Sequence, residues 1–300
     1  MRKTIIMVQV ILIFVLLGSS VLAMKIPEDV KKAVTFIFVK SGDEYRPVGT
    51  GFFVGMKKQG SEDLYIYLVT AKHVLFDENG SLYGSIYIRI NKMMEQSEMF
   101  ALPLRGRTFY HPTDKDADIA VLPIHFSMMQ TTFYDFKVIP FEMITTKSIF
   151  RDAKIGEGDE MFFTGLFAYY PGIAKNYPIV RFGRVALITD EKIPWKEKRD
   201  KPPKKLDLYL AELQSWGGNS GSPVFFYLSP TRDPGTIVIG NPRLLLAGIL
   251  MGYYQEEDEI QSIEVTVKQV SKQNVGIAAV VPAYKLYELL ESEEVRIWRK

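Results

Sequence analysis

Apolar residues along most of this chain come in short blocks rich in β-branched and aromatic side chains, bounded by Gly, Pro and Asp. That pattern predicts strands. A first series runs through Ala33–Val39, Gly49–Val54, Leu64–Thr70, Ile86–Ile90 and Asp118–Leu122. A second runs through Gly158–Gly165, Val180–Ile188, Leu206–Leu210, Leu244–Tyr253 and Val275–Val281. Ile86–Ile90 alternates like a half-buried strand, whereas Leu64–Thr70 is continuously apolar. Met93 and Met94 read as packing residues. Between about Phe126 and Phe150 strand periodicity is lost, which places the link between two halves there. The stretch Lys192–Lys205 has seven basic residues with Pro194, Pro202 and Pro203 and reads as a solvated loop; a basic substrate-steering patch is the alternative. Pro282 opens a helix, and Tyr284, Leu286, Tyr287, Leu289 and Leu290 carry helical spacing to about Ile297. The expected class is all-β with a C-terminal helix.

Composition sharpens this picture at the N-terminus. Arg2 and Lys3 precede an apolar run from Ile5 to Leu17, then Gly18-Ser19-Ser20 and Val21-Leu22-Ala23, the arrangement of a secretory signal with a cleavage site after Ala23. The run is short for a membrane span, so an uncleaved anchor is the alternative. The expectation is an exported protein, periplasmic or secreted, without stable membrane association once the signal is gone. The chain has no cysteine, so its stability must come from the core, which 47% hydrophobic and 13% aromatic residues can supply. Net charge is +2, and losing Arg2 and Lys3 balances it. Nucleic-acid binding is unsupported by that balance. Three well-separated histidines and no cysteine give no metal-ligand set, and no cofactor is expected.

The chemistry centres on Trp216-Gly217-Gly218-Asn219-Ser220-Gly221-Ser222-Pro223, where tiny residues surround one serine. Glycines allow close approach of a carbonyl and free backbone N–H groups to face a developing oxyanion. The same residues also make tight turns, so partners elsewhere decide between the two readings. A serine hydroxyl is a poor nucleophile until a base takes its proton, and the base needs a carboxylate to fix its tautomer. His73, at the end of the Leu64–Thr70 strand, and Asp118, joined directly to Ile119–Leu122, complete that set. An α/β-hydrolase is excluded by order, because its histidine follows the serine and here His73, His111 and His125 all precede Ser220.

With these three motifs in hand, the chain resembles the trypsin/chymotrypsin-like serine peptidases, especially the bacterial branch that includes the protease part of the high-temperature-requirement family. Thr70-Ala71-Lys72-His73, Asp118-Ile119-Ala120-Val121-Leu122 and Gly218-Asn219-Ser220-Gly221-Ser222-Pro223 carry the resemblance. It implies one peptidase domain over residues 24–300: two packed six-stranded β-barrels, the first at about 30–140 and the second at about 150–281, then a helix at about 282–298. It further implies a catalytic triad of His73, Asp118 and Ser220, and an oxyanion hole from the N–H groups of Gly218 and Ser220. The substrate pocket would be built from Gln214, Ser215, Trp216, Met251, Gly252 and Tyr253. Polypeptides would be the substrates. Ser222 stands where the family usually has glycine, Asn219 replaces the aspartate of animal relatives, and no peptide-binding domain follows. A non-catalytic double-barrel binding module is the competing reading.

Overall fold

The computed structural model describes residues 25–94, 96–125, 133–196, 202–230, 232, 241–261 and 268–299, with backbone only at 255–261 and 268–273. The expected signal segment and parts of the expected link and basic loop lie outside the described residues. A short helix α1 (Glu28–Lys32) opens the chain. The first unit is an antiparallel sheet of β1 (Val34–Ser41), β2 (Glu44–Lys57), β3 (Leu64–Thr70), β4 (Ser85–Ile90), β5 (Glu98–Pro103), β6 (Phe109–Tyr110) and β7 (Ala120–Ile124), with β8 (Ile139–Pro140) added parallel to β2. Its order is β5-β4-β1-β2-β3-β7-β6, so this member is a curled eight-stranded sheet rather than a ring closed by hydrogen bonds.

After a helix α2 (Lys147–Asp152) the second unit closes fully. The strands are β9 (Glu160–Gly165), β10 (Ile179–Leu187), β13 (Tyr209–Glu212), β14 (Pro223–Leu228), β15 (Arg243–Gln261) and β16 (Lys268–Pro282), and the ring runs β10-β13-β16-β15-β14-β9. A separate hairpin, β11 (Ile193–Trp195) and β12 (Lys204–Leu206), sits inside the basic stretch read as loop. The chain ends in α3 (Ala283–Leu290) and α4 (Glu293–Trp298), where one helix was expected; the break falls at Glu291-Ser292, and Ser292 has extended backbone.

Burial explains why so many strands are continuously apolar. Met161, Phe163, Val224, Phe226, Leu245, Ala247, Ala278 and Val280 fill the interior of the closed barrel. Their neighbours Phe162, Phe225, Leu246, Ile249, Ala279 and Val281 point outward, into a second core shared with the first unit and with Leu286, Leu289 and Leu290 of α3. A strand buried on both faces has no solvent side on which to alternate. Met93 and Met94 depart from expectation: both are exposed.

Candidate active site

β3 ends at Thr70, Ala71 is extended, and a single 3-10 turn, Lys72–Leu75, follows. Val74 and Leu75 anchor this turn in the core, which leaves His73 at the mouth of the cleft with its side chain 44% exposed. Asp118 enters from the loop before β7, held by the fully buried Ile119 and Ala120, and its side chain is 13% exposed. The two residues meet twice. The His73 backbone N–H donates to Asp118 Oδ1 at 2.8 Å, and Nδ1 lies 2.6 Å from Oδ2. Burial pushes the Asp118 carboxyl up, but the charge, ring N–H and backbone N–H of His73, with Lys72 behind them, overcome this and hold it below the ordinary carboxylate range. An ionised carboxylate on Nδ1 selects the Nδ1–H tautomer and turns Nε2 toward the cleft as an acceptor.

Ser220 is carried on the turn before β14. Gly218 and Gly221 both have left-handed backbone, with φ of 95° and 87°. Gly221 also has no room for a Cβ, because Thr50 O and Thr70 Oγ1 from the first sheet press against it. The turn is therefore wedged into the other unit, and Thr50 is its anchor. Thr50 N–H donates to Ser220 O at 2.9 Å, Thr50 Oγ1 donates to Gly218 O at 2.9 Å and accepts from Leu166 N–H at 2.9 Å, and Thr50 O accepts from Thr70 Oγ1 at 2.7 Å. Buried Asn219 takes up the other side: Oδ1 accepts from Trp216 N–H at 2.8 Å and Nδ2 donates to Leu166 O. Ser222 is accommodated because Gly165 leaves open the space its hydroxyl fills. Among the described residues, the N–H groups of Gly218 and Ser220 have no acceptor within the protein. Ser220 Oγ itself donates to Met251 O at 3.0 Å.

A cavity of about 750 Å³ opens beside His73 and Asp118. Phe76, Leu206, Met251 and Trp195 supply its apolar lining. Trp195, from the hairpin, lies 3.2 Å from where a Cβ on Gly252 would stand and packs edge-on against Tyr254 at 5.0 Å. Of the six residues expected to form the substrate pocket, Met251 alone lines this cavity. Gln214 and Trp216 are exposed, which suits a rim better than a floor, while Ser215 is buried and its Oγ has no partner. Thr50 and Trp195 carried no sequence signal of their own: a threonine between glycines marks only a bend, and Trp195 is hidden in a charged, proline-rich stretch. His111 is buried, accepting from Asp114 N–H on Nδ1 at 3.0 Å, so its Nε2–H donates to Glu288 at 3.0 Å. The His125 ring packs tilted against Trp298, with centroids 4.9 Å apart. No group of His, Asp and Glu among the described residues could hold a metal ion.

No family model matches the chain and no curated protein matches it. Among solved structures it is similar to the crystal structure of Deg5, at 17% identity over 66% of this chain and 76% of that one with a TM-score of 0.38. It is also similar to the active form of the Rv3671c protease from M. tuberculosis, at 15% identity over 88% and 81% with a TM-score of 0.44. A third is the catalytically active tobacco etch virus protease complexed with product, at 13% identity over 93% and 85% with a TM-score of 0.43. At such identities and TM-scores the chemistry has to be read from this chain's own residues.

Proposed function

We propose that the chain is a serine endopeptidase in which Ser220 attacks the scissile carbonyl, His73 Nε2 takes and later returns the proton, and Asp118 orients His73. The observation that carries this reading is the two-point contact of His73 with Asp118, at 2.8 and 2.6 Å, in a cleft onto which Ser220 is braced by Thr50. A one-point contact would leave the imidazole free to pivot; the backbone N–H to the same carboxylate removes that freedom. Attack at the carbonyl carbon forms a tetrahedral oxyanion facing the N–H groups of Gly218 and Ser220. Collapse expels the amine, which takes the proton from His73 and leaves an acyl-Ser220 ester for water to hydrolyse.

In the resting arrangement the Ser220 proton points to Met251 O, so the hydroxyl must turn away from that carbonyl before its proton can pass to the base. Such a turn is fast beside chemistry. The same hydrogen bond is what favours the second reading, a double-barrel binding module with a silent serine. Asn219 is neutral and already bonded on both ends, so no new ammonium terminus has a buried carboxylate to join beside the nucleophile, and no activating cut is required. The preference is for uncharged, small or medium apolar side chains in extended polypeptide, supported by the Phe76, Leu206, Met251 and Trp195 lining of the cavity beside His73, while Asp77, Glu78 and Asp116 on the same lining are the groups that would admit a cation instead.

A fluorophosphonate probe tests the serine without a substrate. Stoichiometric labelling that is lost in Ser220→Ala and in His73→Ala is the expected result. An unlabelled wild-type chain would establish the silent module instead, and labelling that survives in Ser220→Ala would remove Ser220 as the nucleophile.

A further inference from the structure

Half of the large apolar side chains exposed on the described surface, seven of fourteen, lie on segments grouped around the start of the described chain. Four segments build this face and are joined to one another by hydrogen bonds. Lys137 N–H donates to Lys32 O of α1 at 3.1 Å, Asp135 N–H to Asn91 O at 2.7 Å, Met93 N–H to Phe133 O at 3.0 Å, and Ser97 N–H to Ala174 O at 2.8 Å. Glu28, Lys31, Asn91, Asp135, Lys175 and Tyr177 line one hollow of about 250 Å³ between them. From these segments project Met94 at 95% exposure, Ile173 at 93%, Met93, Phe133 and Tyr177, with Tyr169 and Tyr170 on the same loop as Ile173. Apolar groups clustered in this way mark a docking surface for a protein or a membrane.

The chain leading into the face selects between these. The Ile5–Leu17 run alone is short for a span, but counted on through Gly18-Ser19-Ser20 and Val21-Leu22-Ala23-Met24 no charged residue stands between Lys3 and Lys25, and that mostly apolar stretch matches the roughly 20 residues a helix needs to cross the hydrocarbon of a bilayer. Only Lys25, Ile26 and Pro27 separate it from α1, a reach of about 10 Å at roughly 3.3–3.6 Å per residue. A tether that short brings whatever surrounds α1 to the bilayer surface whenever the uncharged stretch is in the membrane. Tyrosines at the margin and Met and Ile at the tips suit the headgroup and acyl boundary. Three lysines of the face are paired: Lys31 with Glu28 at 2.7 Å, Lys32 with Asp135 at 2.7 Å and Lys92 with Glu98 at 2.9 Å.

We propose that this face is a bilayer-docking surface, resting on the membrane that holds the uncharged N-terminal stretch, with Met94 and Ile173 inserted among the acyl chains. The proposal departs from signal removal as the fate of residues 1–23 and is independent of the chemistry in the cleft. The insertion itself is apolar burial by Met94 and Ile173, which an uncharged bilayer can supply.

The absence of native cysteine makes the test direct. Single cysteines in the full chain at Met94→Cys and Ile173→Cys, and at the exposed comparison sites Leu82→Cys and Val275→Cys, are labelled with a polarity-sensitive dye. Leu82 precedes β4 while Met93 and Met94 follow its other end. On phosphatidylcholine vesicles the dyes at 94 and 173 should shift to the blue and be quenched by a lipid-borne quencher, equally in low and high salt, while those at 82 and 275 stay unchanged. Vesicle-bound chain with silent dyes at 94 and 173, a response at all four positions, or no vesicle binding would overturn the proposal. So would a blue shift that needs no lipid and grows with protein concentration, which would assign the face to a second copy of the chain.

Discussion

Two histidine–carboxylate pairs draw their histidines from connections between strands of the first unit, and the rings differ in exposure. His73 is 44% exposed and meets Asp118, whereas His111 is 2% exposed and meets Glu288 of α3. His111 belongs to a wider network: Asp114 bonds both to it and to Lys285 Nζ at 2.8 Å, Lys285 also reaches Asp207 at 2.8 Å, and Glu288 meets the exposed Lys147 at 3.5 Å. Asp114 comes from the first unit and Asp207 from the second, so Lys285 on α3 staples the two together. Burial pulls the Lys285 ammonium down, yet the hydrogen bonds and charges of Asp114 and Asp207 hold it well above the ordinary lysine range. One imidazole opens on the cleft; the other is buried, and only its partner Glu288, 39% exposed, meets solvent. A histidine beside a carboxylate is thus a candidate base only where the ring's second nitrogen opens on space.

The sharpest way to break the comparison is to remove the charge from the cleft carboxylate. Asp118→Asn should keep fold and packing but lower kcat by about 10⁴, since the amide favours the wrong His73 tautomer. Removing the buried cation should do the reverse. Lys285→Met leaves two largely buried carboxylates side by side without their cation, at a cost of about 3–5 kcal/mol of stability, while the rate per folded molecule is unchanged. Denaturant melts and active-site titration separate the two; a Lys285→Met protein of normal stability and crippled rate would mean that the Lys285 network belongs to the chemistry.

Thr50 lies between these extremes, because it is buried like the staple yet bonded to the nucleophile turn. Thr50→Val keeps the shape and the two backbone bonds but strips Gly218 O of its donor and Leu166 N–H of its acceptor. About 1–3 kcal/mol is expected, the cost of orphaned buried groups. If that cost falls on the oxyanion turn, kcat should drop by about tenfold with KM little changed, whereas Thr70→Val, one bond further from Ser220, should mainly lower the melting temperature.

Much of this was legible in the chain, for physical reasons. Strands buried on both faces, such as Leu244–Met251, advertise themselves as unbroken apolar runs, and the chain order His73, Asp118, Ser220 narrows the chemistry before any geometry is known. Elements at the edges were silent. β5, β6 and the β11–β12 hairpin are short or half-wet and carry no period, so Trp195 could not be seen to line the cleft. Met93-Met94 misled because methionine pairs usually fill gaps, and only the fold shows that these two stand outside it. Thr50 was invisible for a different reason: its importance lies in three hydrogen bonds across the two units, and no local pattern encodes a partner more than a hundred residues away.

The smallest expected effect is on acid stability, and it distinguishes the two carboxylates that flank the cleft loop. Asp118 and Asp114 both titrate below the ordinary aspartate range in the folded chain; burial opposes this in each, and it is outweighed by His73 and Lys72 for Asp118 and by Lys285 and Lys192 for Asp114. A carboxyl whose folded pKa is depressed binds fewer protons folded than unfolded, so its stabilisation is present above the unfolded value of about 3.9 and is lost as pH falls through the folded one. Lys285 is shifted the other way, and its contribution stays whole below the unfolded lysine value of about 10.4, so it does not shape the acid limb. Between pH 5 and 8 stability should therefore be flat with respect to these three groups and should fall below about pH 4. Asp118→Asn and Asp114→Asn should each make that fall shallower, and the double variant shallower still by nearly the sum, because the first carboxylate answers to His73 and the second to Lys285. Unfolding free energies measured from pH 2.5 to 8 supply the test; a double variant no shallower than either single one would mean that the cleft pair and the Lys285 network titrate as one unit, and the contrast between them would be gone.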